Sequence, residues 1–189
     1  MGLLSHVSLH DDLDQDKLRS LSKLFNVQSY LREDKLWDLT SEKGELHFIL
    51  SGAFSEKLVR GKDSYILRFY RKGKFAFSED LLLYSTKSET ECECLLDAKI
   101  ASIPVSQLFS FLANDALSSR LIGVLIGMSL TEYRNTTYEM LQTNGTHRIS
   151  AALEQFPDLL NIIPRKELAD YLGISRASLF RSLKQLDHE

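Results

Sequence analysis

Apolar and polar residues alternate, strand by strand, from residue 46 to 103, and after Pro104 this pattern gives way to a helical period. That one change of period restricts the chain to an α+β architecture in which a β unit precedes an all-helical half. Strands are expected over residues 46–50, 54–59, 65–69, 91–95 and 100–103. The turns between them are marked by Ser51-Gly52, by Gly61, Lys62 and Asp63, and by Lys72, Gly73 and Lys74, at intervals of about ten residues. Such spacing predicts an antiparallel sandwich, roll or small barrel. A helix over residues 14–25 precedes it, with Leu13, Leu18, Leu21, Leu24 and Phe25 on one broad face.

Beyond Pro104 the pattern predicts a short helix at 105–112 and a long one at 117–141. Along the long helix Leu117, Leu121, Val124, Met128, Thr131, Asn135 and Tyr138 alternate steps of four and three, the spacing of a coiled-coil seam. A second stripe, Ile122, Leu125, Ile126 and Leu130, adds more apolar surface than one neighbour covers. One face is therefore expected against the β unit and the other, at Leu117, Leu121, Val124 and Met128, against a second copy of the chain. The alternative is a helix buried within a monomer. Asn144, Gly145 and Thr146 read as a stop and restart, with Gly145 left-handed and Thr146 capping a helix over 146–155. Pro157 closes that helix and Pro164 opens the next. The division expected is 1–116 for the β unit, 117–143 for the long helix and 144–189 for a helical domain.

Residues 165–184 carry the most specific pattern in the chain. Two short helices that cross steeply need a small residue at the contact, a glycine in the turn and apolar residues that lock the angle. Ala169 is the small residue, Gly173 the turn, Leu168, Leu172 and Ile174 flank it, and Leu179 and Leu183 form the inner face of the second helix. Ser175 is its expected N-cap. The outer face is assigned Arg176, Ser178, Arg181, Ser182, Lys184 and Gln185, with no acidic residue from Ser175 to Leu186. Basic and hydroxyl side chains there suit a recognition helix in the major groove of double-stranded DNA, with Ser175, Arg176, Ser178, Arg181 and Lys184 as its contacts. The formal net charge of the whole chain is −3, so a nucleic-acid surface must be local.

Other chemistries find little support. The best apolar run, residues 121–130, is short of the ~18–20 residues a membrane helix needs. The first residues lack the basic head of a signal peptide and are followed by Asp11, Asp12, Asp14 and Asp16, so a cytoplasmic chain is expected. Cys92 and Cys94 share one face of a strand and are expected to be buried structural thiols rather than redox or metal groups. Asp12, Asp14 and Asp16 imitate a calcium loop, but Lys17 and Lys23 occupy its glycine and glutamate positions. The five histidines show no metal spacing, and no nucleophile, base and acid set is legible. No enzyme, cofactor or metal is expected.

In the order of its parts the chain resembles the CRP/FNR superfamily of bacterial transcription regulators. The resemblance runs from the stretch Leu46 to Gly52 through to the recognition helix, and Tyr133, Arg134, Asn135, the segment 148–152 and the segment 169–175 are most similar to its YeiL-like branch. It implies a cyclic-nucleotide-binding-type, jelly-roll-like β-roll, a long dimerisation helix and a C-terminal helix-turn-helix of winged type. It also implies a homodimer, an inverted-repeat DNA operator and contact with RNA polymerase, as in an activator. Two departures stand out. Ala177 replaces the glutamate that often follows the first arginine of the recognition helix. The sequence also ends at Asp187, His188 and Glu189, where the family runs on into a wing, so either the product is short or the sequence is incomplete.

A cyclic nucleotide needs a carboxylate for its ribose and an arginine for its phosphate, which the family supplies as phenylalanine, glycine, glutamate and then arginine with serine or threonine. Here Phe77, Ser78 and Glu79 match the first part with serine for glycine, while Ser88, Glu89 and Thr90 hold no arginine, and Glu89 and Glu91 repel a phosphate. A degenerate pocket that takes no cyclic AMP or GMP is expected, with the roll sensing another effector. The competing reading is an interaction module that dimerises through the long helix without binding DNA.

Overall fold

The computed structural model describes residues 15–84, 87–113, 117–141 and 144–186. Its elements are α1 (Gln15–Ser22), β1 (Asn26–Tyr30), β2 (Lys35–Trp37), β3 (Glu45–Arg60), β4 (Asp63–Arg71), β5 (Phe75–Ala76), a π-helical turn α2 (Asp80–Tyr84) and β6 (Thr90–Pro104). Then come α3 (Val105–Leu112), α4 (Leu117–Leu141), α5 (Gly145–Gln155), α6 (Leu159–Ile162), α7 (Arg165–Tyr171) and α8 (Arg176–Leu186). The α+β organisation is as expected. The pairs 46–50 with 54–59 and 91–95 with 100–103 are instead two continuous strands, β3 and β6.

The sheet is antiparallel, in the order β1-β6-β3-β4, with β2 on β6 and β5 on β3. β3 and β6 form the central ladder, from Glu45 opposite Pro104 to Leu58 opposite Thr90, and its register shifts around Ser51 and Ala53. Such bulges bend a long ladder so that one strand serves two parts of a curled sheet. Gly52 sits at this bend with φ +88°, and a Cβ there would lie 2.5 Å from the Cβ of Ala98, so a side chain has neither the conformation nor the room. β3 turns into β4 through Gly61, at φ +62°.

The sheet buries two apolar faces. On one, Trp37, Ile49, Phe54, Tyr70, Cys92, Cys94 and Ile100 fill the interior of the roll. Both cysteines are buried and unbridged, and burial pushes each thiol up, Cys94 to about 11. On the other, Leu46, Phe48, Phe75, Phe77 and Ile103 pack with Leu108 and Leu112 of α3 and Leu125 of α4. This contact seats the long helix on the roll. Met128 packs partly into the same cluster, whereas Val124 is exposed and the side chains of Leu117 and Leu121 lie outside what the structure describes. The surface of α4 that faces away from the roll carries Gly123, Gly127, Leu130, Arg134 and Leu141, and a Cβ added at either glycine meets open space.

α5 starts one residue earlier than expected. Asn144, not Thr146, is the N-cap, its side chain accepting from the Thr146 N–H at 2.9 Å, and Gly145 is the first helical residue. The C-terminal helices share a core of Ile149, Leu159, Ile162, Leu168, Leu172 and Leu179, which also takes in Ala53 and Leu95 of the roll.

One buried base sets a pH limit on this fold. His47 is 2% exposed, bonds Ser102 Oγ through Nδ1 at 2.8 Å and stacks on Trp37, and burial lowers its pKa from 6.5 to about 4. The unfolded chain takes up a proton below pH 6.5 that the folded chain refuses until about pH 4. Stability is therefore full above 6.5 and lost as the pH falls, by ~3 kcal/mol across that window at ~1.4 kcal/mol per unit. Urea unfolding at pH 7 and pH 4 should show this loss, and His47→Gln should lack that share of it. Equal losses in both proteins would exclude the assignment.

Candidate functional site

α7, the turn and α8 are built as the spacing predicts. Ala169 is 1% exposed where the helices meet, Leu179 is fully buried, and Ile174 and Leu183 pack at the edge of the same cluster. Gly173 takes φ +62°, and Arg148 from α5 reaches the turn, its Nη1 donating to the Leu172 carbonyl at 2.8 Å. Ser175 Oγ accepts from the Ser178 N–H at 3.1 Å and so caps α8.

The outer face of α8 exposes Arg176, Arg181 and Lys184. Arg181 Nη2 donates to Ser178 Oγ at 3.3 Å, and Ser178 Oγ is 2.9 Å from Ser175 Oγ, so the two serines also steady the arginine. Ser182 departs from the expected outer position. It is 8% exposed because it lies three residues after Leu179, on the side that Leu179, Leu183 and Leu186 turn inward. Gln185 is held by Thr146 Oγ1 at 3.2 Å, tying α8 to α5. Phe180, 53% exposed, is the outer-face residue that the polar pattern hid.

On the roll, Ser78 and Ser88 are buried and bond each other through their hydroxyls at 2.9 Å, with Thr90 Oγ1 3.2 Å from Ser88 Oγ. Glu89 does not face them. It pairs with Arg60 at 2.6 Å, as Glu91 pairs with Lys35 at 2.6 Å. Glu79 is engaged from inside the chain. Arg68 Nη2 donates to Glu79 Oε1 at 2.5 Å, Arg68 Nε to Glu56 Oε2 at 2.5 Å, and Arg68 Nη1 to Ser129 Oγ on α4 at 3.2 Å. Ser129 Oγ also donates to Glu79 at 2.8 Å, Tyr70 donates its hydroxyl to Glu56 at 2.7 Å, and the Tyr133 ring lies 4.8 Å from the guanidinium carbon.

Strand period explains half of this cluster and helix period the other half. Arg68 and Tyr70 are two apart on β4 and share its inner face, and Ser129 and Tyr133 are four apart on α4. Arg68 is 5% exposed and Glu56 0%. Burial works against the guanidinium's charge, but Tyr70, Glu56 and Glu79 outweigh it and hold the arginine ionised. Burial, with Glu79 adding to it, raises the Glu56 carboxyl. Sequence reasoning missed Arg68, Glu56 and Ser129, and named Tyr133 only for its resemblance; the available sign was a charged residue at an inward position between Ile66 and Tyr70. Among the described residues no three His, Cys, Asp or Glu side chains converge as a metal set, and no described helix is long and apolar enough to cross a membrane.

No family model and no curated protein matches the sequence. Solved structures do match. FixK2 from Bradyrhizobium japonicum aligns at TM-score 0.70 with 17% identity over 87% of this chain and 85% of its own. CLP, a c-di-GMP responsive global regulator of Xanthomonas campestris, aligns at 0.67 with 20% identity over 93% and 92%. A protein from Eubacterium rectale described as a transcriptional regulator of the CRP/FNR family aligns at 0.71 with 14% identity over 97% and 88%. The fold, an antiparallel sheet followed by a long helix and C-terminal helices, is therefore that of the CRP/FNR regulators.

Proposed function

We propose that the chain is a transcription regulator of the CRP/FNR type, which dimerises through α4 and binds an inverted-repeat operator with α8. Residues 1–116 form the sensor, 117–143 the dimer helix and 144–189 the DNA-binding part, and such a protein works beside RNA polymerase in the cytoplasm. The observation that carries this reading is α8 itself: a helix fully buried at Leu179, capped by Ser175, and exposing Arg176, Arg181 and Lys184 with no acidic residue among them. Arginine bonds bidentately to guanine, and a lysine one turn on reaches phosphate. The roll takes no cyclic nucleotide on this reading, since Arg68 and Ser129 already occupy Glu79.

Selection from a random DNA library tests the interface. A palindromic site is expected, with half-sites about 34 Å apart. Arg181→Ala should lose about 1–3 kcal/mol on that site and relax its sequence preference, while Lys184→Ala should weaken every sequence alike and lower the salt slope by about one. Recovery of no site, or identical losses for the two variants on all sequences, would transfer the weight to an interaction module.

A further inference from the structure

A cavity of about 220 Å³ lies where β4, α4 and the C-terminal helices meet. Its aromatic wall is Phe69, whose ring centroid is 4.9 Å from that of Tyr171 and 5.5 Å from that of Phe156. Its charged rim is Arg71, Lys74 and Glu132. Lys74 Nζ is paired with Glu132 of α4 at 3.1 Å, and Arg68, which also borders the space, is held by Glu56 and Glu79. Arg71 lies over the Phe156 ring at 5.6 Å, and among the described residues no carboxylate forms an ion pair with it. A wider groove of about 470 Å³ adjoins on the other side of Arg71 and adds Lys72.

The rim thus offers one guanidinium, that of Arg71, with no carboxylate partner among the described residues, beside a wall of rings that touch one another. Pockets for drug-sized ligands run to ~300–1,000 Å³, so this one suits a single ring. We propose that the cavity binds a small planar aromatic carboxylate, its ring against Phe69 and Phe156 and its charge on Arg71. We infer further that its occupancy sets how the DNA-binding helices sit on the roll. This second part rests on the regulator reading; the first does not. The three walls come from the sheet, the dimer helix and the DNA-binding part, so a ligand touching all three has different contacts whenever their mutual placement changes, which is the condition for coupling.

Benzoate is the probe, with benzamide (the same plane without the charge) and acetate (the charge without the plane) as controls, measured by calorimetry and by resonance shifts at Phe69 and Phe156. Benzoate should saturate on the order of a millimolar, and both controls should bind at least about tenfold more weakly. Arg71→Gln should weaken benzoate by a similar factor while the free protein keeps its fold, read from its circular dichroism. Operator DNA and benzoate should change each other's affinity by one common factor. No saturable benzoate binding, or benzamide binding equally well, overturns the site. Benzoate binding that leaves operator affinity unchanged overturns the coupling. A protein that takes benzoate but selects no DNA sequence leaves the site standing and removes the regulator reading.

Discussion

Arg68→Leu is expected to destabilise the fold by about 3–5 kcal/mol at neutral pH, because it strips the guanidinium from two carboxylates and leaves Glu56 charged in an apolar interior. Glu56 is 0% exposed, and its Oε1 has no hydrogen-bond partner among the described residues even with Arg68 in place. The deficit has a defined pH dependence. Burial already raises the folded pKa of Glu56 above 4.5, so its contribution is fully present below 4.5 and lost as the pH rises through the folded value. Removing the counter-charge raises that value further, so the deficit should be largest near pH 7 and narrow toward pH 4.5. Arg68→Leu combined with Glu56→Leu should recover at least half of the loss, since an apolar pair of similar bulk carries no stranded charge. Urea unfolding of the three proteins across this range decides the matter: a deficit independent of pH, or no recovery in the double variant, would show that the cluster contributes packing alone.

The second large effect concerns the free face of α4. Leu130→Glu is expected to turn the proposed dimer into a monomer, because Leu130 is 64% exposed in one chain and lies beyond Gly127, where no described residue stands within 4 Å of an added Cβ. Glycines spaced by four let two helix backbones approach, and Leu130, Leu141 and Tyr138, each more than half exposed, supply the apolar area around them. Burying a leucine contributes about 1.5–3 kcal/mol, and a two-fold interface counts it twice, so the dimer dissociation constant should rise at least about a hundredfold. Sedimentation equilibrium reads this directly. If the unmodified chain sediments as a monomer at about tens of micromolar, where an interface of ordinary size is occupied, the dimer reading is wrong.

These two regions differ in how far they were legible beforehand. The helix-turn-helix was readable residue by residue because its determinants are local: Ala169, Gly173, Ser175 and Leu179 lie within one short segment and each acts on its neighbours. The period of α4 was equally plain, but its phase was not. Two stripes of similar hydrophobicity compete on that helix, and only the roll decides that Leu125 and Met128 turn inward while Gly127 and Leu130 turn outward. β1 escaped notice because most of its residues are exposed and show no alternation, and it is held by main-chain pairing to β6. The ion cluster was the least visible of all. Glu56, Arg68, Glu79 and Ser129 come from four segments, and nothing short of the fold brings them together.

The central ladder also governs the order in which the molecule can assemble. β3 finds its main partner only in β6, with Glu45 opposite Pro104, so the strand is made long before the segment that completes it. Closing such a loop must precede any reward from pairing, which slows folding relative to the helical half, where α5, α7 and α8 meet across short connections. During synthesis from the N-terminus, β3 emerges with one edge covered by the β4 hairpin and the other open until residue 104 has followed. An open strand edge is a template for another chain. The hydrophilic punctuation on β3, with His47, Ser51, Ser55, Glu56 and Lys57 interrupting its apolar residues, stands along the segment that waits.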